Sequence, residues 1–230
     1  MIKSENIENK IIFPIWDRLK EVSLQYISQG KTPQDHLQNI QKVCKAGGKW
    51  IQLRLKDVDT VTYLNTALEC RNICDQYEVI MIINDSVATA KATLADGVHL
   101  GLKDTSISEA RKILGDSFII GGTANTIEDC MQHLESGVDY IGLGPFRYTT
   151  TKKKLEPILG LRGYRNILYK LKKQNVKVPI IAIGGIIEQD IEDLMKTGVS
   201  GIAVSKILTG QKELNQNINN IKMLITQAHG

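Results

Sequence analysis

Nothing in this sequence suits a membrane. No apolar stretch approaches the length of a bilayer span, and the opening MIKSENIENK carries no signal-peptide pattern. Cysteine is scarce too. Cys44, Cys70, Cys74 and Cys130 show no CxxC pairing, which excludes the common thiolate zinc frameworks. Cys70 and Cys74 stand at i, i+4 on an expected helix, but no companion ligand pair accompanies them. Packed, reduced thiols are expected, with the cytoplasm as compartment. Charge of one sign is also in short supply, the net being only +4. Basic clusters such as KLKK (170–173) lack interleaved aromatics and read as a solvated helix face. A nucleic-acid partner is therefore excluded, and a small anionic molecule is the better match.

No linker, low-complexity tract or composition shift divides the 230 residues, so one domain is expected. With 42% hydrophobic residues a sizeable core can form without disulfides. Seven short apolar runs recur at helix-plus-strand spacing: WIQLRLK (50–56), VIMIIND (79–85), GVHLGLKD (97–104), FIIGGT (118–123), YIGLGP (140–145), PIIAIGG (179–185) and GIAVSK (201–206). Continuous apolar runs of this kind suggest parallel strands buried on both faces. A first strand at 22–28 brings the count to eight. Helical patterns fall at 33–46, 61–77, 106–114, 127–136, 161–174, 188–197 and 206–227, with a short turn near 87–94. Thr126 reads as an N-cap, and Gly198 as the stop of the helix that Glu188 opens. Eight β-α pairs predict a (β/α)8 TIM barrel over 21–230, with its site at the C-terminal rim of the strands. Residues 1–20 read as a lead-in, with a short helix near 11–19. A doubly wound sheet is the runner-up, weakened because no GxGxxG follows the first strand.

Each run ends in residues suited to phosphate or metal chemistry. Asp85 and Asp104 end the expected third and fourth strands. Neighbouring strands lie about 4.8 Å apart, so the two carboxylates can meet one cation, and Mg2+ suits such a pair together with phosphate oxygens. The bland alternative makes Asp85 a helix cap and Asp104 a loop residue. Strand alternation puts Gln52, Arg54 and Lys56 on one face, where Arg offers a fork and Lys a point charge for a diphosphate. The stretch 144–160 reads as a lid, with Thr149, Thr150, Thr151 and Lys152 for oxyanions, or else as a soluble loop. The glycines of AIGGI and the end of GIAVSK suit a second phosphate, though tight turns need glycine as well. His99 reads as a satisfied core residue; His36, His133 and His229 fall on expected helix surfaces or the tail. No Ser/His/Asp or Cys/His arrangement is visible.

Taken together, QLRLK, IIND, GVHLGLKD, GLGPFRYTTTKK and AIGGI resemble the thiamine phosphate synthase family, in its order and near its spacing. The resemblance implies a (β/α)8 barrel that uses Mg2+ to join a hydroxymethylpyrimidine diphosphate to a thiazole phosphate, releasing diphosphate. By position it implies pyrimidine-diphosphate contacts at Gln52, Arg54, Lys56 and Asn84, and Mg2+ ligands at Asp85 and Asp104. Thr123 stands where the family usually has a serine touching the pyrimidine, and Lys152 resembles its lid lysine. Thr149 to Thr151, Gly185, Val204 and Ser205 resemble the thiazole phosphate site. Arg54, Lys56 and Lys152 would stabilise the departing charge. Ser86 replaces a usual arginine, Leu102 a common glutamine, and Asn125 a frequent histidine; IAVSK is a residue short before its serine.

The rivals are a thiazole tautomerase of the same superfamily, another phosphate-binding barrel such as a sugar-phosphate epimerase or indole-forming lyase, and a non-catalytic ligand sensor. The carboxylate pair together with Asn125 argues for the synthase over the tautomerase. The other enzymes need an acid–base pair that the barrel runs lack. No oligomeric state is assigned.

Overall fold

The computed structural model describes residues 23–148, 157–210 and 213–228. The expected lead-in at 1–20 lies outside the described residues. Eight strands alternate with helices: β1 (Leu24–Ile27), α1 (Pro33–Lys45), β2 (Trp50–Leu53), α2 (Thr60–Tyr77), β3 (Ile80–Asn84), α3 (Val87–Ala92), β4 (Gly97–Leu100), α4 (Ile107–Leu114), β5 (Ile119–Ala124), α5 (Ile127–Glu135), β6 (Tyr140–Leu143), α6 (Gly160–Lys173), β7 (Ile180–Ile183), a 3-10 turn (Glu188–Asp190), α7 (Ile191–Met195), β8 (Gly201–Val204), α8 (Lys206–Thr209) and α9 (Leu214–Gln227). The strands pair in chain order, all parallel, and β8 closes onto β1 through Leu24↔Ile202, Gln25↔Ala203 and Tyr26↔Val204. This is the (β/α)8 barrel that the alternation predicts.

The continuous apolar runs have a simple cause: each strand buries both faces, in different cores. Outward side chains such as Ile51, Leu53, Met81, Ile83 and Val98 join the helices in one large cluster. Inward ones, Trp50, Ile80, Ile82, Ile119, Tyr140, Ile181 and Ala203, form a second cluster inside the barrel. Helix starts are equally local. Thr32 with Asp35, and Thr126 with Asp129, close capping boxes on α1 and α5, while Pro33 opens α1. At the N-terminal rim one device recurs. Asp96 accepts from Arg71 and from the Met81 amide, both at 2.8 Å, and Asp139 accepts from Arg111 at 2.5 Å and the Ile120 amide at 2.6 Å. Each clamp ties a helix to a strand end away from the mouth, where stability rather than chemistry is served.

The structure corrects several element boundaries. The expected 206–227 helix is two helices, because Gly210 ends α8 and the chain restarts at Leu214; Asn217 Nδ2 donates to Ile207 O at 2.5 Å and ties the pieces. The expected 188–197 helix opens as a 3-10 turn, its amide at Ile187 donating to Asp190 Oδ2 at 2.9 Å. Strands stop earlier than their apolar runs, which continue into the loops that build the mouth.

Candidate active site

The C-terminal strand ends converge on a cavity of about 380 Å³. Of the residues expected from sequence, Gln52, Arg54, Asn84, Thr123, Gly185, Val204 and Ser205 line it. Gln25, Ser28, His99, Tyr148, Ile187 and Ile207 line it as well, and were not singled out from sequence as contacts. The signal for Gln25 and His99 lay in strand alternation: both share the inward parity of the apolar barrel cluster. Thr149, Thr150, Thr151 and Lys152 lie outside the described residues.

β2 ends at Leu53, so Gln52, Arg54 and Lys56 do not share one strand face as expected. Gln52 points into the barrel and is only 2% exposed, and its Nε2 has no hydrogen-bond partner among the described residues. Arg54 follows the strand. Its amide donates to Ser28 Oγ at 2.9 Å, and that oxygen lies 2.8 Å from His36 Nδ1. His36 is therefore buried behind the mouth, not on a helix surface as expected; burial holds its pKa below the ordinary histidine value. Burial likewise lowers the Arg54 pKa, with the nearby Asp85 carboxylate opposing that effect.

Asp85 follows β3 in the left-handed region, at φ 65°, and its amide donates to His99 O at 2.8 Å. That unusual backbone turns its carboxylate back to an ion pair with Lys56. The cap of α3 is Ser86, whose Oγ accepts from the Thr89 amide at 3.2 Å, so the helix-cap alternative for Asp85 fails. Asp104 lies beyond β4, which ends at Leu100, and its Oδ2 accepts from the Gly101 amide at 2.7 Å. Partial desolvation raises the Asp104 pKa above the usual carboxylate range, and the Asp85 carboxyl, within hydrogen-bonding reach, raises it further; the Gly101 amide and Lys56 oppose. The two acidic side chains thus face each other at the mouth. Among the described residues no group of three or more His, Cys, Asp or Glu is arranged to hold a metal, so the carboxylate pair stands without a third such ligand.

On the opposite rim, Gly184 (φ 91°) and Gly185 (φ 71°) turn the chain where no side chain fits. A Cβ on Gly185 would come within 3.0 Å of the Arg147 and Tyr148 carbonyls. The loop after β6 presses here, locked by Arg147, which donates to Asp190 Oδ2 at 2.6 Å, Asp190 Oδ1 at 2.8 Å and Gly185 O at 3.0 Å. The double glycine is explained by this close approach as it stands. Asn125 is buried and donates from Nδ2 to Gly144 O, so it braces the same loop. His133, expected on a surface, is buried instead and donates from Nε2 to Thr123 O at 2.8 Å. Cys44, Cys70, Cys74 and Cys130 are buried free thiols, as expected.

The sequence profile of a family described as thiamine monophosphate synthase matches residues 24–208. A thiamine-phosphate synthase of Flavobacterium johnsoniae is 53% identical over 190 residues, covering 83% of this chain and 90% of that protein. One from Bacteroides thetaiotaomicron is 47% identical over 184 residues, covering 80% and 88%. Among solved structures, a thiamine phosphate pyrophosphorylase from Pyrococcus furiosus superposes with a TM-score of 0.79 at 28% identity, over 93% of this chain and 99% of that one. A 3-hexulose-6-phosphate synthase, TM-score 0.65 at 14% identity, shares the barrel alone.

Proposed function

The chain belongs to the thiamine monophosphate synthase family, and from that premise we propose how its cavity divides the work. It is a transferase. The reaction joins a hydroxymethylpyrimidine diphosphate to a thiazole phosphate: the methylene carbon–oxygen bond to diphosphate breaks, the thiazole nitrogen bonds to that carbon, and thiamine phosphate and diphosphate leave. The observation that carries this reading is Gln52. Its polar side chain is only 2% exposed yet lines the cavity together with Asn84 and Thr123, where a flat ring with hydrogen-bonding edges would fit.

Gln52, Asn84 and Thr123 hold the pyrimidine ring at the cavity floor. Its diphosphate then extends toward Arg54 and Lys56 at the rim. Both are positive groups aimed at the charge that develops on the leaving oxygen, and they stabilise it without taking a proton. Lys56 pairs with Asp85 in the free protein, so a diphosphate competes for that lysine and releases the carboxylate. Asp85 and Asp104 are the residues that would hold Mg2+. Their donor set fits, since Mg2+ is commonly bound by one or two carboxylates plus substrate phosphate, and their mutual repulsion favours a cation between them. Bound there, Mg2+ would neutralise diphosphate charge. Gly185, Val204 and Ser205 receive the thiazole phosphate. Thr149, Thr150, Thr151 and Lys152 belong to the lid in this reading.

The test is diphosphate release with both substrates, with and without Mg2+. Asp85→Ala and Asp104→Ala are each expected to cut Mg2+-dependent turnover roughly 10- to 150-fold, the scale of one lost charge-assisted contact, while circular dichroism stays unchanged. Full activity in both variants removes the metal assignment. Tight binding of both substrates without diphosphate release favours a sensor instead.

A further inference from the structure

Two glycines in neighbouring strands make room inside the barrel for two polar rings. A Cβ on Gly121 would lie 2.2 Å from Tyr140 Cζ and 2.5 Å from its hydroxyl, and one on Gly142 would lie 3.0 Å from His99 Cε1. Tyr140 is fully buried, edge-on to Trp50 with ring centroids 5.0 Å apart. Its hydroxyl is 2.9 Å from His99 Nδ1, and His99 Nε2 is 2.9 Å from Thr123 Oγ1. Gln25 Nε2 donates to the Tyr140 oxygen from 3.5 Å. A hydrogen-bonded row therefore runs from Gln25 through Tyr140 and His99 to Thr123; Gln25, His99 and Thr123 line the cavity, while Tyr140 lies beneath it.

The row has a direction. An amide NH2 can only donate, so the Tyr140 oxygen accepts from Gln25 and keeps its own proton to give. A phenol is a better donor than an alkyl hydroxyl, and burial keeps this one protonated by raising its pKa. Between the Tyr140 and Thr123 hydroxyls beside His99, the phenol is thus the one that donates, to Nδ1. A neutral imidazole that accepts at Nδ1 carries its proton on Nε2. That N–H points to Thr123 Oγ1, which must then accept. The Thr123 carbonyl is already held by His133, so the residue has little freedom to turn. Its hydroxyl proton is left for the cavity.

We propose that Tyr140 is a positioning residue: acting through His99, it makes Thr123 a one-way donor toward the bound pyrimidine, selecting a ring nitrogen with a lone pair over a C–H or N–H at that point. This rests on the reading of Thr123 as a pyrimidine contact, and the two are tested separately.

Protein labelled with 15N-histidine contains four histidines, and the His99 signals are those lost in His99→Gln. The expected wild-type spectrum shows His99 protonated on Nε2; protonation on Nδ1 overturns the proposal with no further variant. In Tyr140→Phe, which keeps the ring against Trp50, the Nδ1–H form should gain population. KM for the pyrimidine diphosphate should rise about 2- to 10-fold, the scale of one neutral hydrogen bond, while KM for the thiazole phosphate stays level. Thr123→Val should lose as much, and adding Tyr140→Phe to it should cost nothing further. Additive losses in the double variant, or an unchanged KM in Tyr140→Phe beside an impaired Thr123→Val, defeat the relay. An unchanged KM in Thr123→Val defeats the underlying contact itself.

Discussion

Gln52 lines the cavity, yet its buried Nε2 has no hydrogen-bond partner among the described residues, and such a group opposes folding. Stability and binding should therefore move in opposite directions at this one position. Gln52→Met keeps the length of the side chain and removes the amide. It is expected to raise unfolding free energy by about 1 kcal/mol, read from the urea midpoint at constant m. The same variant should weaken the pyrimidine diphosphate roughly tenfold, since the ring loses its partner. A Met variant that binds normally would show that the amide serves the fold alone. Asp85 differs from Gln52 in kind: its left-handed backbone is a cost accepted so that the carboxylate faces Lys56 and Asp104.

At the scale of elements, the loop after β6 and the turn after β7 are held together by the Arg147–Asp190 fork. Asp190 is itself lowered in pKa: burial acts against this, but the Arg147 hydrogen bonds and the Ile187 amide outweigh it. A carboxylate whose folded pKa is depressed stabilises the protein above its unfolded pKa, about 3.9, and loses that contribution as pH falls through the folded value. Asp190→Asn should thus melt lower than wild type near pH 6, by about 1 kcal/mol or less because Arg147 is well exposed. The gap should close as pH falls below the unfolded value and through the lower folded one. A gap that persists unchanged in acid would assign the effect to packing. Much of this level was legible in the chain. Alternating runs and Thr126 caps gave the barrel and its helix starts, since both depend on neighbours within a few residues. The burial of His36 and His133 was not, because each is satisfied by a distant strand end, Ser28 and Thr123. Nor was the break at Gly210, where the apolar pattern runs on across two helices whose tie, Asn217 to Ile207, is tertiary. Motif residues such as Asp85 and Arg54 could be named, but not the turns that aim them, which begin only where β3 and β2 stop short.

For the whole molecule, cavity, cation pair and carboxylate pair open on one end of a closed barrel, and the clamps at Asp96 and Asp139 stiffen the other. Binding at the open end is linked to the stability of the entire fold, because an opened barrel holds no site. Pyrimidine diphosphate at a hundred times its Kd should add about 2.7 kcal/mol, which is a rise in Tm of roughly 5–10 °C for a chain of this size. Scanning calorimetry should find the rise larger with Mg2+ than without it. An identical shift in both conditions would separate Asp85 and Asp104 from the diphosphate site.

The seam between β1 and β8 sets a timetable for synthesis. Leu24 leaves the ribosome long before its partner Ile202. At about 5–20 residues per second, the roughly 180 intervening residues take about 10 to 40 s. Through that interval the nascent β1 shows a bare row of amides and carbonyls, the kind of edge to which other chains adhere. Anything that shields that first strand until the last one arrives would spare the growing chain such association.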